Sequence, residues 1–298
     1  MSYNVYDCFM YFDEDVLLEF RLNCLDSYVH KFVIVECFYS HRGIKKGFNF
    51  NINKFRSFKE KIIYIKVKDK PKNLNSIKKS DDINSKNEKQ ILNGYIWDHF
   101  QRNKIMDGLK YCNENDIIMI SDLDEIPNLE NVNFNRIRNK LIFFIQYFLF
   151  YKFNLIYRHN NWYGTRACRY KDLVSPQWLR DIKNKKYNFF RFDRFFSKKK
   201  YSDIFYVKEG GWHFTNLKSS KDIFKKFSNY AHYLEFELSK KTLRDIKNMI
   251  KERKAIYNHS VDQKKNKFDG AIKLYKFNKK SWPLYLRKNF SKYKNWII

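Results

Sequence analysis

The clearest candidates for chemistry in this sequence are three acidic residues that follow an apolar run. Asp122, Asp124 and Glu125 come directly after residues 117–120, which have the composition of a buried strand. Two carboxylates at positions i and i+2, on a turn at the end of a strand, can converge on one divalent cation. Hard oxygen ligands suit Mg²⁺ or Mn²⁺, which keep positions open for phosphate groups. The pattern therefore predicts a DxD-type site, in which the carboxylates and a diphosphate share a metal ion.

Acidic clusters also occur in turns, calcium sites and phosphatases, each of which has its own sequence requirements. Aspartates before a proline form turns and cap helices, but crowded like charges are costly unless a cation is present. An EF-hand loop needs glycine where this chain has Pro127, and a Walker B strand needs a P-loop that does not occur. A haloacid-dehalogenase-type phosphatase stays open, with Asp122 as nucleophile and Asp124 as acid, although Ile126 departs from its motif.

The elements that must position this cluster alternate between strands and helices. Buried strands are predicted at residues 4–9, 32–35, 62–67 and 117–120, with helices after residue 13, at residues 55–61 and at residues 92–111. Residues 68–89 are polar and predict a mobile loop. This alternation predicts an α/β fold with a mainly parallel sheet. Ligands bind beyond the carboxyl ends of such strands, where Glu36 and the acidic cluster fall.

The pattern becomes mixed beyond the acidic cluster. Residues 141–152 and 164–170 predict further strands. Ser175 followed by Pro176 is typical of a helix start, because serine caps the first turn and proline suits its first position. Ser219 with Asp222 predicts a second helix start of the capping-box type.

Composition limits the protein class without identifying a partner. The 298 residues carry a formal charge of +28, which attracts phosphates, nucleic acid or acidic lipid, although an AT-rich genome would also favour such a composition. A non-catalytic nucleic-acid-binding protein is therefore a third hypothesis. Five scattered cysteines, no signal-peptide pattern and no apolar run long enough to span a membrane predict a cytoplasmic protein.

Six stretches of the sequence together resemble glycosyltransferase family 17, the family of the bisecting β-1,4-mannosyl-glycoprotein N-acetylglucosaminyltransferase. The stretches are YDCF at residues 6–9, LLEFRL at 17–22, FVIVE at 32–36, FQRNKIMDGL at 100–109, IIMISDLDEIP at 117–127 and GGWHF at 210–214. They span roughly three quarters of the chain. The resemblance implies a GT-A-like domain, which we expect over residues 1–250. A basic, aromatic-rich helical extension is expected over residues 251–298, where 14 Lys or Arg face 3 acidic residues.

The resemblance also implies a donor and a metal. A UDP-sugar, with N-acetylglucosamine in the characterised members, and Mn²⁺ or Mg²⁺ are expected, with inversion at the anomeric carbon. Asp122 and Asp124 become the DxD, and Glu36 becomes a candidate for contacting the nucleoside. Arg102 and Asn103, on the helix before the DxD strand, face either the donor or solvent.

The remaining roles implied by the resemblance concern a third metal ligand and a base. His213 is expected to complete the metal site, the alternative being that it only packs beside Trp212. An inverting transferase also needs a carboxylate to accept the proton of the acceptor hydroxyl. Glu209 and Glu235 are the candidates for this base.

Two further acidic residues, Asp172 and Asp193, also stay possible as the base. Without a secretory signal, the expected acceptor is a glycan, a polysaccharide precursor or a lipid-linked sugar. The basic C-terminal segment then suits peripheral contact with an acidic membrane at its inner face. The alternative for that segment is a solvated surface, and nucleic acid is not the expected partner.

Overall fold

The protein is built around a mixed β-sheet with helices on both faces. The computed structural model describes residues 3–184, 201, 203–228, 236–237, 239–258 and 272–298. The strands found there are β1 (Val5–Met10), β2 (Lys31–Cys37), β3 (Ile62–Val67), β4 (Ile117–Ser121), β5 (Glu125–Pro127), β6 (Leu141–Phe150), β7 (Leu155–Ile156), β8 (Trp162–Arg169), β9 (Ile204–Val207), β10 (Gly211–Thr215) and β11 (Tyr275–Lys276).

The order of the strands confirms the predicted fold class. Strands β3, β2, β1 and β4 lie side by side and run parallel. Strand β8 then inserts antiparallel between β4 and β6, and β6 pairs in parallel with both β9 and β10. Strand β5 pairs antiparallel with β10. The result is an α/β protein with a mixed, largely parallel sheet, as in GT-A-like folds.

The helices lie between and beside these strands. The α-helices are α1 (Asp15–Leu25), α2 (Ile83–Asn103), α3 (Pro176–Asp181), α4 (Ser220–Phe227), α5 (Leu243–Lys251) and α6 (Leu284–Lys288). Segments of 3₁₀ helix cover Ile52–Lys61, Lys104–Gly108, Phe134–Arg136, Tyr170–Asp172, Lys279–Ser281 and Phe290–Trp296. In the described part of the chain, no helix is both long enough and apolar enough to cross a membrane.

Local signals located several helix ends correctly and missed others. Ser175 and Ser219 cap α3 and α4, since each side chain accepts a backbone N–H of the first turn. The predicted loop over residues 68–89 is partly wrong, because α2 already begins at Ile83. Asp82 caps it there by accepting the N–H groups of Asn84 and Ser85. The predicted helix at residues 55–61 is instead part of a kinked 3₁₀ segment.

The core lies on both faces of the sheet. Alternate residues of the central strands enter two clusters, with Phe9 and Ile34 on one face and Cys8 and Val33 on the other. Strands buried on both faces read as continuous apolar runs, which explains the sequences of β1, β2 and β4. Helix α1 covers the first face, and α2 and α3 cover the second.

The described residues near the C-terminus share this core. Phe277, Trp282, Leu286 and Tyr293 belong to the same apolar cluster as the face covered by α1. Strand β11 joins the sheet by pairing with β7. The division of the chain at residue 250 stays a prediction. Described residues after it pack in two apolar clusters, with Phe277 to Tyr293 in the first and Ala255, Ile256 and Leu274 in the cluster that contains Phe148.

Candidate active site

A buried arginine fixes the turn that carries the acidic cluster. Arg21 on α1 pairs with Asp7 on β1, with 2.6 Å between Nη2 and Oδ1, and both side chains are fully buried. Its Nη1 donates to the backbone carbonyls of Asp122, Leu123 and Glu125 at 3.1, 3.1 and 2.8 Å. The guanidinium group of Arg21 therefore holds the backbone of the DxD turn, and its pairing with Asp7 fixes that group to the central strand β1.

Asp122 is held by two arginines. Its Oδ1 accepts from Arg102 Nη2 at 3.1 Å, and its Oδ2 accepts from Arg180 Nη2 at 3.2 Å. Burial acts to raise the pKa of Asp122, but the charges of Arg180 and Arg102 outweigh it and hold that pKa well below its usual range. Arg102 also binds Asp98 and Gln177. Arg102 is therefore buried against the acidic cluster and is not part of a solvated helix face, while its contact with the donor stays a prediction.

Glu125, the third acid of the cluster, has a structural role. Its side chain is fully buried, and Arg180 grips both oxygens, with Nη1 to Oε2 at 2.7 Å and Nη2 to Oε1 at 2.9 Å. Trp162 Nε1 and the backbone N–H of Asp122 donate to the same carboxylate at 2.8 and 2.9 Å. These donors saturate Glu125, so it can hold the turn but has no oxygen left for a ligand.

Asp124 points toward His213. The Nε2 atom of His213 lies 3.4 Å from Oδ2 of Asp124, because β10 brings Phe214 N–H to the carbonyl of Asp124 at 2.8 Å. The imidazole packs against Trp162 and Phe148, at ring-centroid distances of 4.3 and 4.9 Å, and these two rings also contact each other. Burial acts to raise the pKa of Asp124, but the interaction with His213 and then the charge of Lys226 lower it.

The predicted metal ligands fit this geometry in part. Two ligands at about 2.1 Å from one octahedral ion lie about 3.0 Å apart when adjacent, close to the separation of Asp124 and His213. Both carboxylate oxygens of Asp122 instead accept hydrogen bonds from guanidinium groups. Within the described residues, no group of three His, Cys, Asp or Glu side chains is arranged to hold an ion. Asp124 and His213 are thus the described side chains that would hold an ion, and substrate phosphates would take its remaining positions.

The remaining predicted donor residues hold neighbouring loops. Glu36 is fully buried and accepts from Lys46 Nζ at 2.6 Å, from Tyr64 Oη at 2.7 Å and from two backbone N–H groups at 2.7 and 3.1 Å. Glu36 therefore positions Lys46 and the following loop. It does not line the cavity described below. Asn103 accepts the backbone N–H of Gln177 at 3.0 Å and so supports the start of α3.

Of the candidate bases, the two that the structure describes lie away from the acidic cluster. Glu209 is exposed at the turn before β10, with a left-handed φ of 48°, and its side chain bonds Tyr147. It does not line the cavity described below. Asp172 follows β8 near Arg169, which pairs with Ile117 at the opposite end of β4 from the acidic cluster. Glu235 and Asp193 lie outside the described residues.

A cavity of about 640 Å³ opens where the carboxyl ends of β1, β2 and β4 meet. Asp122 and Asp124 form part of its wall, while aromatic, acidic and basic residues from other elements complete it. The lining residues include Tyr11, Phe12, Asp13, Glu14, His41, Lys46, Asp98, Asn216, Lys218, Asp222, Lys225 and Lys226. This size is ordinary for a small-molecule site.

Sequence patterns did not identify several of these lining residues. His41 has no motif around it, and burial lowers its pKa although Asp98 acts to raise it. Nothing in the sequence distinguishes Lys218, Lys225 and Lys226 from the other Lys and Arg residues, of which there are 60 in total. The helix start at Ser219 could have grouped Lys225 and Lys226 with Asp222, because it determines which residues share a helix face. Tyr257 also lies close to Asp124 and bonds Thr215; burial raises its pKa to about 12.

The fold and the cavity together define a class of protein. A largely parallel sheet with a DxD turn at its carboxyl edge, beside a small-molecule cavity, is the arrangement expected of a glycosyltransferase with a GT-A-like fold. The family model for glycosyltransferase family 17 matches residues 1–181, from β1 through α3, so the chain belongs to this family. No curated protein matches the chain. Family membership supports a glycosyltransferase, with a sugar donor and a glycan acceptor, over the phosphatase and nucleic-acid hypotheses.

Proposed function

We propose that this glycosyltransferase is metal-dependent and inverting, and that it moves N-acetylglucosamine from a UDP-sugar to a glycan hydroxyl. The observation that carries the proposal is the approach of His213 Nε2 to Asp124 Oδ2 at 3.4 Å, at the cavity edge. The donor sugar rests on the resemblance of the sequence motifs to the characterised members of the family.

The proposal divides the DxD between two tasks. Asp124 and His213 would hold Mn²⁺ or Mg²⁺, and the chemistry supplied by the bound ion is neutralisation of the diphosphate charge. Asp122 lines the cavity and would keep Arg102 and Arg180 in place behind this part of its wall. The contacts of His213 with Trp162 and Phe148 restrict its orientation, which favours a fixed Nε2 position.

The transfer requires a balanced displacement at the anomeric carbon. The acceptor hydroxyl oxygen forms a bond to C1 on the face opposite the diphosphate, and the bond from C1 to the phosphate oxygen breaks. UDP leaves with the electron pair, and the hydroxyl proton passes to a carboxylate base. Because Glu209 lies away from the cavity, we retain Glu235 as the proposed base. The acceptor class remains a glycan, a polysaccharide precursor or a lipid-linked sugar.

A thermal-shift titration tests the donor and metal together. Wild type and Asp124→Asn are titrated with UDP, UDP-N-acetylglucosamine and GDP, each with Mn²⁺ and with chelator. A ligand that binds only the folded state stabilises by about 2.7 kcal/mol at a hundredfold excess over its dissociation constant, so a real site is visible. We expect the shift to be largest with a uridine nucleotide and Mn²⁺ together, and to shrink in Asp124→Asn.

The matched control is Asp107→Asn, which removes a half-exposed carboxylate in the Lys104–Gly108 segment, outside the cavity lining. This control should behave as wild type. Equal shifts with GDP and UDP would contradict the uridine donor, and equal shifts with and without Mn²⁺ would contradict the metal. Product analysis with UDP-N-acetylglucosamine, UDP-glucose and UDP-galactose then tests the sugar.

A further inference from the structure

Helix α4 presents one polar face to the cavity. The helix starts after Ser219, whose Oγ accepts the backbone N–H of Asp222 at 3.2 Å. Ile223 and Phe227, four residues apart, are buried in an apolar cluster on the side of α5. Positions three and four apart share a helix face, so Asp222 and the two lysines at 225 and 226 lie together, and all three line the cavity.

Lys226 brings an uncompensated positive charge to this wall. Its Nζ donates to Oδ1 of Asn216 at 3.1 Å, a neutral partner. Across the described ranges, no carboxylate forms an ion pair with Lys226, whereas Lys218 pairs with both Asp13 and Glu14. Lys226, Asp124 and Glu14 all line the cavity, so this ammonium group and the acidic wall face the same space.

The wall therefore offers a site for anionic oxygen. An ammonium group held only by an amide keeps its net charge, and lysine binds phosphate as a point charge without demanding a fixed geometry. The amide nitrogen of Asn216 is buried and has no hydrogen-bond partner in the described structure. It adds a second unused donor beside Lys226. Acidic and basic walls thus face the same space from different elements.

We propose that Lys226, with Lys225 beside it, binds the phosphate oxygens of the donor directly. This inference rests on the proposed function, because it assumes a nucleoside diphosphate in the cavity. It adds a binding contribution that needs no metal ion. The diphosphate then lies between a cationic helix face and the metal-binding pair, and part of its affinity survives removal of the metal.

Calorimetric titration with UDP and with uridine tests this assignment. Lys226→Met is compared with wild type, with Lys226→Arg, and with Lys221→Met, which changes an exposed lysine of α4 that does not line the cavity. Removing one charged hydrogen bond costs about 1.5–3 kcal/mol, which corresponds to about a tenfold or greater loss of affinity. We expect that loss for UDP in chelator with Lys226→Met, but no loss for uridine.

The other variants and conditions separate the possible failures. Lys226→Arg should retain most of the UDP affinity and Lys221→Met all of it, with unchanged melting temperatures in both. UDP binding that requires Mn²⁺ absolutely, or that is equal in wild type and Lys226→Met, overturns the inference and leaves the proposed function standing. Absence of UDP binding with and without Mn²⁺ overturns both.

Discussion

Two aspartates separated by one residue meet different partners in this protein. Asp122 lies between two arginine side chains, whereas Asp124 faces the imidazole of His213. A carboxylate that is already neutralised by guanidinium groups gains less from a metal ion than one that has no guanidinium partner. Substitution of Asp122 should therefore mainly lower stability, whereas substitution of Asp124 should mainly lower ligand binding.

Asp124→Asn is expected to lower metal-dependent UDP affinity without unfolding the protein, while Asp122→Asn lowers stability. Arg102 and Arg180 each keep another carboxylate partner and Asp122 is partly exposed, so the stability loss should be about 1 kcal/mol. Urea unfolding and UDP titration with Mn²⁺ on both variants measure the two effects. Identical behaviour of the two variants in both assays would contradict the division of roles.

Arg180→Met should be more damaging than either aspartate change. It leaves Glu125 fully buried without its bidentate partner, and breaking a buried pair from one side costs about 3–5 kcal/mol. The control is Arg138→Met, an exposed position where a change within about 0.5 kcal/mol is expected. Adding Glu125→Gln to Arg180→Met should recover part of the loss, because the uncompensated charge is then removed. Purely additive losses would show that the pair is not coupled.

At the scale of elements, the entry into β10 decides where His213 lies. Gly211 has a φ of 130°, and a Cβ atom there would come within 2.1 Å of the carbonyl oxygen of Ile126 on β5. The strand can approach β5 only because this residue has no side chain. The same approach brings His213 opposite Glu125 and next to Asp124. Gly211 is therefore required for the strand pairing that places His213 next to Asp124.

Gly211→Ala should destabilise the protein by about 2 kcal/mol or more, since neither the backbone conformation nor the space suits a Cβ. The control is Gly47→Ala, where φ is 79° but no atom lies within 4 Å of the added Cβ. Strain alone at such a position costs about 1–2 kcal/mol. Chemical denaturation compares the two, and metal-dependent UDP affinity should fall only for Gly211→Ala. Equal losses of stability would mean that β5 moves away without cost.

At the scale of the whole molecule, the C-terminal segment has a part in the core. Phe277, Trp282, Leu286 and Tyr293 are buried with residues of β1, α1 and β10. Fully burying a large apolar side chain contributes about 1.5–3 kcal/mol, so four contribute about as much as the whole net stability of a domain. The described Lys and Arg side chains of this segment are exposed, apart from the partly buried Arg253, and the predicted contact with acidic lipid would form there.

A chain ending at Gly270 should consequently lose cooperative unfolding, because the first apolar cluster is left open. Circular dichroism during heating measures the cooperativity of unfolding. A milder change, Trp282→Ala in the full chain, should lower the free energy of unfolding by about 3–5 kcal/mol. The control is Phe290→Ala, at a partly exposed aromatic residue of the same segment. A truncated protein that melts like the full chain would instead support an independent extension after residue 250.

The sequence by itself determined the parts of this protein that depend on near neighbours. Apolar runs identified β1 to β4, and the residue order at Ser175 and Ser219 identified two helix starts. The six motifs between residues 6 and 214 indicated the family. The position of Asp122 and Asp124 at the carboxyl edge of the sheet followed from the same patterns. These features are readable because helix caps, strand periodicity and turns are decided within a few residues.

Only the tertiary structure decided which partners the site residues meet. Arg180 lies 58 positions from Asp122 and 55 from Glu125, and Arg21 lies 101 from Asp122. No local pattern relates residues so far apart, because their contact depends on the order in which strands join the sheet. That order gives Asp122 and Asp124 different partners, and it buries Glu36 and Glu125. It also brings Lys226 to the cavity that the acidic residues line.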